Sequence, residues 1–215
     1  DTLCATGALL SYVEETAKVP LNHFSRVDLY HQNTFMMLDK FTRRNLELVE
    51  TMRSKEKKGS LLWVLDKTCT AMGARKLKSW VEEPLLSIDE IQKRLNTVEV
   101  LVDDLLLRSD LRTHLKHIYD LERLTSKLVY GSINPRDLIA LKQSLLVLPE
   151  IKSCIEDLNI GAFETIYSDL DALQDIYHLI DETIVEDPPF SVKDGGVIKT
   201  HKHPELGVLR DAVQN

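Results

Sequence analysis

Apolar residues recur at helical rather than strand spacing along most of this chain. Ile88, Ile91, Leu95, Val98, Val102 and Leu105 fall on one stripe, behind Ser87 and Glu90 at capping-box spacing. In such a pair each side chain can satisfy a free N–H at the helix start. Leu138, Leu141, Leu145 and Leu148 repeat in the same way after Asn134–Pro135. That dipeptide offers an N-cap and then a proline at the first helical position, where its missing N–H is harmless. Pro149 is expected to kink or end this helix. Phe163, Ile166, Leu170, Leu173, Tyr177, Ile180 and Ile184 step by 3, 4, 3, 4, 3 and 4. A strict heptad seam of that kind predicts one continuous helix, about 30 Å long at ~1.5 Å per residue.

Three places interrupt the helical pattern. Residues 27–38 and the segment from Leu46 to Val49 can form a small sheet or irregular strands. A basic loop carrying Arg53, Lys55, Lys57 and Lys58 follows. Gly59 ends one element there, and Ser60 can cap the first arm of a helical hairpin. Residues 187–200 hold Asp–Pro–Pro and Gly–Gly, which predict a loop with a short extended piece at Val197–Ile198. The fold class is therefore mainly α: a multi-helix bundle with long helices and a small β element near residues 27–49.

Composition narrows the class without naming an activity. The chain has 215 residues, 43% of them hydrophobic, enough to bury a real core as one or two helical units. No run of 18 apolar residues occurs, so no membrane span is expected. Neither a basic leader nor a cleavage pattern opens the chain. Cys4, Cys69 and Cys154 are widely spaced and odd in number, as for reduced thiols packed as small hydrophobes in a cytoplasmic protein. The chain opens within a helical pattern without a start methionine. It stops at Gln214–Asn215 within a helix expected from near Pro204, so it reads as a fragment.

Charge is uneven. With 27 basic and 34 acidic residues the net charge is −7, and residues 156–187 hold ten acids and no Lys or Arg. Phosphates repel such a segment, so it is expected to face away from nucleic acid. Positive charge collects instead in the 53–58 loop, on Arg75, Lys76 and Lys78, and on Lys193, Lys199 and Lys202. Each group can equally be an ordinary solvated face. Arg43 and Arg44 could meet DNA, but Asp39, Glu47 and Glu50 flank them, and pairing with Glu47 or Asp39 is the favoured reading.

No catalytic constellation emerges. GxxxxGK[ST] is absent, and Asp194–Gly195–Gly196 reads as a turn rather than a phosphate cradle. His114, His117, His201 and His203 lack the spacing of a zinc site and have no CxxC partner. Cys69 beside an apolar stripe reads as a core thiol. Asp103–Asp104 and Glu82–Glu83 are sequence neighbours, which point apart on a helix. No catalytic, cofactor-binding or metal residue is assigned.

The order of several motifs carries more information. TRRNLEL at 42–48 precedes GSLL–VLD, T–MGAR–L–W, and then PL with a helix carrying RL. DLERLTSKLVYGSINPRDLIALKQSL at 120–145 leads to LPE, and DPPFSVKDGGVIKTHKHPELGVLRD spans 187–211. Together they resemble the core region of the bacterial MutS mismatch-repair ATPases, from about residue 27 onward. The resemblance implies a helix leaving a connector domain at 1–24, a helical core and lever domain at 25–190, and a segment entering the clamp at 191–215. It implies a lever that links a DNA clamp to an ATPase, with the mismatch reader, ATP and magnesium all held outside this stretch. Mismatched double-stranded DNA, a second MutS-like subunit and downstream repair proteins are the implied partners of the parent protein. Lys193, Lys199 and Lys202 would lie where the chain turns into the clamp, which makes them the candidate nucleic-acid residues. A free-standing helical scaffold for protein partners and a small helical enzyme are the competing readings.

Overall fold

The computed structural model describes residues 2–17, 34–202 and, singly, 205, 207 and 212. They belong to two units, 1–32 and 33–215. The first unit contributes α1 (Thr2–Ala17), in which Leu3, Leu9 and Tyr12 are exposed. Cys4 is exposed too, against the expectation of a packed thiol. Residues 27–33 of the β element expected over 27–38 lie outside the described residues; of the helix expected from near Pro204, residues 205, 207 and 212 are described and are helical.

The second unit is a succession of helices: α2 (Lys40–Asn45), α3 (Leu61–Leu65), α4 (Ala71–Glu82), α5 (Ile88–Asp103), α6 (Leu105–Leu115), α7 (Leu121–Val129), α8 (Pro135–Cys154), α9 (Phe163–Asp169) and α10 (Gln174–Thr183). Short polar side chains start them. Asp39 accepts from the Thr42 N–H, Ser60 from Trp63, Thr70 from Gly73, Ser87 from Glu90, Asp104 from Leu107 and Asp120 from Arg123. Each bond satisfies a donor that the first turn leaves free. Asn134 and Asp137 close a reciprocal capping box in front of Pro135. Among the described residues the small β element is reduced to one isolated antiparallel bridge, Phe35–Leu85. Leu46 to Val49 are not a strand: they turn after α2, and Glu47 takes a left-handed φ of 49°.

The 20-residue α8 is the spine, packed against α6, α7 and α10. At about 1.5 Å per residue it is ~30 Å long. Near its N-terminal half, Leu138, Ile139 and Leu141 pack on Ile180, Ile184 and Val197. Near its C-terminal end, Ile151 and Cys154 join Ile155, Leu111 and Phe163. Between them Ser144 is fully buried and satisfied: its hydroxyl donates to Ala140 O and accepts the Tyr119 N–H at 2.9 Å. That bond ties the α6–α7 link to the spine. Pro149 lies inside α8, which runs on to Cys154, so the proline does not end the helix.

The heptad seam at 163–184 is not one helix. α9 stops at Asp169, and Leu173 turns into α10 at a left-handed φ of 47°. Local polar chemistry wins over apolar spacing here. Asp171 accepts the Leu173 N–H at 2.9 Å, an Asx-turn that competes with helical bonding. Lys152 donates to Leu170 O and seals the end of α9. The break lets Phe163 and Ile180 reach the two different ends of α8. Leu170 therefore caps a short helix rather than continuing a long one.

Gly161 holds the turn before α9 at φ +65°, and a Cβ there would lie 2.3 Å from Thr97 Oγ1 and 2.9 Å from Lys93 O. Gly131 has the same φ but open space around it. Gly131→Ala is expected to cost about 1–2 kcal/mol from the left-handed conformation alone. Gly161→Ala is expected to cost roughly 1–3 kcal/mol more through the clash. Urea denaturation of the two variants checks the difference.

Candidate nucleic-acid interface

Residues 184–202 form a strap folded back on α8 and α10. Ile184 and Ile198 make an antiparallel bridge, with the Val185 N–H donating to Val197 O at 3.0 Å and Lys199 N–H to Thr183 O at 2.8 Å. Val197 is buried and Ile198 packs beside it, so the short extended piece expected there is real. Ser191 caps a 3-10 turn at Val192–Asp194, and Gly195 and Gly196 reverse the chain with φ of 72° and 68°. Arg136 pins the other arm through Pro188 O at 3.2 Å.

The three candidate lysines do not share one fate. Lys202 donates to Glu182 at 2.7 Å. Lys199 lies 3.8 Å from Glu186. Lys193 is exposed on the 3-10 turn and has no ion pair among the described residues. The strap thus brings them to one segment but leaves only Lys193 uncommitted to a carboxylate.

The residue that sequence reasoning missed is Lys142. It is 7% exposed, and its ammonium meets Asp181 at 3.1 Å and both Glu186 oxygens at 3.0 Å. Burial alone would push this ammonium down; hydrogen bonds to Glu186 and Asp181 outweigh that and hold it above its ordinary value. The same contact lowers the Asp181 carboxyl. A usable signal existed, because Lys142 sits on the Leu138–Leu145 apolar stripe at i+4 and i+7 spacing. Nearby, Thr183 Oγ1 is buried without a hydrogen-bond partner.

Elsewhere cations serve the fold. Arg75 grips Asp120 with two bonds and reaches Glu122, joining α4 to α7, and these carboxylates raise its guanidinium further. Lys57 pairs with Asp66, and that bond, with Thr68, holds the Asp66 carboxyl down to about 2. Arg53, Lys55 and Lys58 stay exposed in the loop. Arg43 does not pair with Asp39 or Glu47. It donates to Leu38 O at 2.9 Å, while those carboxylates accept backbone N–H groups of Thr42 and Met52. The role is structural, with a carbonyl as partner.

The described residues gather no group of three His, Cys, Asp or Glu suited to a metal. His114 pairs with Glu150 at 2.9 Å, and His203 lies outside the described residues. Burial pushes the Cys154 thiol up, with Asp110 and Glu150 adding to it, so this sulfur stays protonated near neutral pH. No helix among the described residues is long and apolar enough to cross a membrane. What the strap can offer is electrostatic contact on a rigid support.

Comparison with known proteins matches residues 41–215 to the family model for MutS domain III. The chain is 50% identical over 205 residues to the DNA mismatch repair protein MutS of Alkaliphilus oremlandii, covering 95% of this chain and 23% of that protein. It is 47% identical to the protein of the same name from Acetivibrio thermocellus, covering 97% of this chain and 24% of that one. The identity to that of Clostridium novyi is 46%, covering 99% and 24%. The chain thus spans about a quarter of the length of these curated relatives.

The buried lysine gives an asymmetric expectation. Lys142→Met removes the charge and leaves carboxylates that water can reach, so its stability should stay within about 1 kcal/mol of the parent. Asp181→Asn with Glu186→Gln strands the ammonium among neutral groups and should lower the urea midpoint clearly. The reverse order would show that the carboxylates, not the lysine, bear the desolvation.

Proposed function

The chain belongs to the MutS domain III family, and on that premise we propose that it is the core and lever segment of a mismatch-repair protein. In this reading it links a DNA clamp mechanically to an ATPase. The mismatch reader, ATP and magnesium belong to other parts of the parent protein, and this segment performs no catalysis. The parent binds mismatched double-stranded DNA, pairs with a second MutS-like subunit, recruits downstream repair proteins and works in the cytoplasm.

One observation carries the lever: α8 joins two separate apolar clusters, one around Ile180, Ile184 and Val197 and the other around Leu111, Ile155 and Phe163. From Leu138 to Cys154 the rod covers ~24 Å at 1.5 Å per residue. Packed interiors shift between discrete arrangements rather than deform continuously, so a rotation applied at one cluster is delivered at the other. The strap leaves from the first cluster, and its DPP and DGG motifs carry the resemblance to the run that enters the clamp.

Two measurements on the full-length protein test this. Gln143 and Leu146 are exposed on α8, so Gln143→Gly with Leu146→Gly softens the rod at about 1 kcal/mol each without opening the core. Stimulation of ATP hydrolysis by mismatched DNA should fall several-fold, while basal hydrolysis persists. Undiminished stimulation would remove the lever.

The strap itself generates a second expectation. Lys193→Ala should weaken binding of mismatched and matched duplexes alike and reduce the salt slope of log affinity by about one. An unchanged slope would take the strap off the DNA.

A further inference from the structure

Between the α6–α7 link and the spine lies a cleft of about 410 Å³. Lys116, His117 and Tyr119 line it from the link, Gln143 lines it from α8, and Leu146 and Val147 give it an apolar floor. The bond from the Tyr119 N–H to the buried Ser144 hydroxyl fixes the link on the spine, so packed backbone sets the shape of the cleft. Its polar side chains are unused. Among the described residues, Lys116, His117, Tyr119 and Gln143 make no side-chain hydrogen bond and no ion pair. Tyr119 is 50% exposed and Leu146 54%, so neither ring nor floor is covered.

The charge beside the cleft is one-sided. Arg112, one turn before Lys116 on α6, donates to Lys67 O at 3.0 Å, and both Arg112 and Lys67 are exposed. Two acids beside the cleft are already held: Glu150, one turn past Leu146, pairs with His114 at 2.9 Å, and Asp120, next to Tyr119, with Arg75 at 2.7 Å. In a chain of net charge −7 this edge is left positive. Concave sites with an apolar floor and a few convergent polar groups are binding sites, and here the groups select the occupant. A phosphate backbone would use the cations and leave the apolar floor wet. A purely apolar helix face would cover Lys116 and Gln143 without giving them partners. A short acidic peptide satisfies both. One apolar or aromatic side chain can rest on Leu146 and Val147, with peptide amides against Gln143 and Tyr119. Asp or Glu can then meet Lys116 and Arg112, a complementarity that selects the partner and speeds the encounter.

We propose that the cleft at the α6–α7 link docks a short acidic peptide segment of another protein, anchored by one apolar or aromatic side chain. The inference goes beyond the lever reading and does not depend on it. A phage-displayed library of random short peptides is panned on the full-length protein and counter-selected on its Lys116→Glu variant. The surviving sequences should combine Asp or Glu with one apolar or aromatic position. Basic or uncharged survivors, or none, would overturn the proposal. The most enriched peptide, synthesised with a fluorescent label, should bind the Lys116→Glu and Tyr119→Ala variants about tenfold more weakly than the parent, as for one lost charged or aromatic contact. Lys78→Glu makes the same charge change at an exposed position of α4 and should leave the affinity unchanged. Thermal melting checks that the variants fold; if Tyr119→Ala melts early, the exposed Lys116→Glu decides alone. An equal loss in Lys78→Glu would reduce the effect to net charge. Displacement of the peptide by duplex DNA, with DNA binding weakened equally in Lys116→Glu, would make this a nucleic-acid site. Either result would overturn the peptide assignment.

Discussion

Everything in the second unit depends on burying one long helix. α8 presents Ser144, Leu145, Val147 and Leu148 as buried positions on consecutive turns, so no single neighbour can cover it. Short helices and a strap must therefore close around it from several sides, each with its own cap. That requirement explains why helices of 7 to 11 residues persist here, although such lengths are marginal alone. Packing against the spine supplies the stability that their own hydrogen bonds do not. It also explains the buried hydroxyl of Ser144, which anchors the turn between α6 and α7 where an apolar side chain would leave the Tyr119 N–H unpaired.

Electrostatics follow the same logic. The acids of the 156–187 segment read as a surface that repels phosphate, and several of them turn out to hold the strap. Asp181 and Glu186 neutralise Lys142, and Glu182 holds Lys202. Among the described residues, Lys57, Arg75, Lys127, Lys142, Lys199 and Lys202 are thus held by intrachain carboxylates before any partner arrives. Arg53, Lys55, Lys58 and Lys193, with Lys76 and Lys78 on α4, are among the exposed cations left to solvent.

How much of this was legible depended on the range of the interaction. Caps are local, and Ser60, Ser87 and Asn134–Pro135 announced their helices. The mainly α class followed from period alone. The 163–184 seam misled because spacing counts apolar side chains and ignores the backbone bond made by Asp171, which lets Leu173 turn left-handed. The stripe on α5 was visible as a stripe, but spacing gave no sign that its core-facing side would be Val100 and Leu101 instead. In the candidate interface, the lysines could be named but not their partners. Lys142 and Glu186 stand 44 positions apart, and only the folded strap brings them together. Family motifs carried the placement of the domain further than any residue chemistry did.

Asp104 closes α5 and opens α6 at once: its N–H donates to Val100 O, and its carboxylate accepts from Leu107. No spacer separates the two helices, so their mutual angle is set by the φ and ψ of a single residue. With 3.6 residues per turn, inserting or deleting one residue there would swing the whole face of α6 by about 100° around its axis. Leu111 would leave its cluster, and the apolar stripe of α5 would lose its continuation at Leu105. Chain length at this joint is therefore quantised. The exposed loop at 53–58 can absorb added residues, while the joint at 104 admits only changes that restore about a full turn.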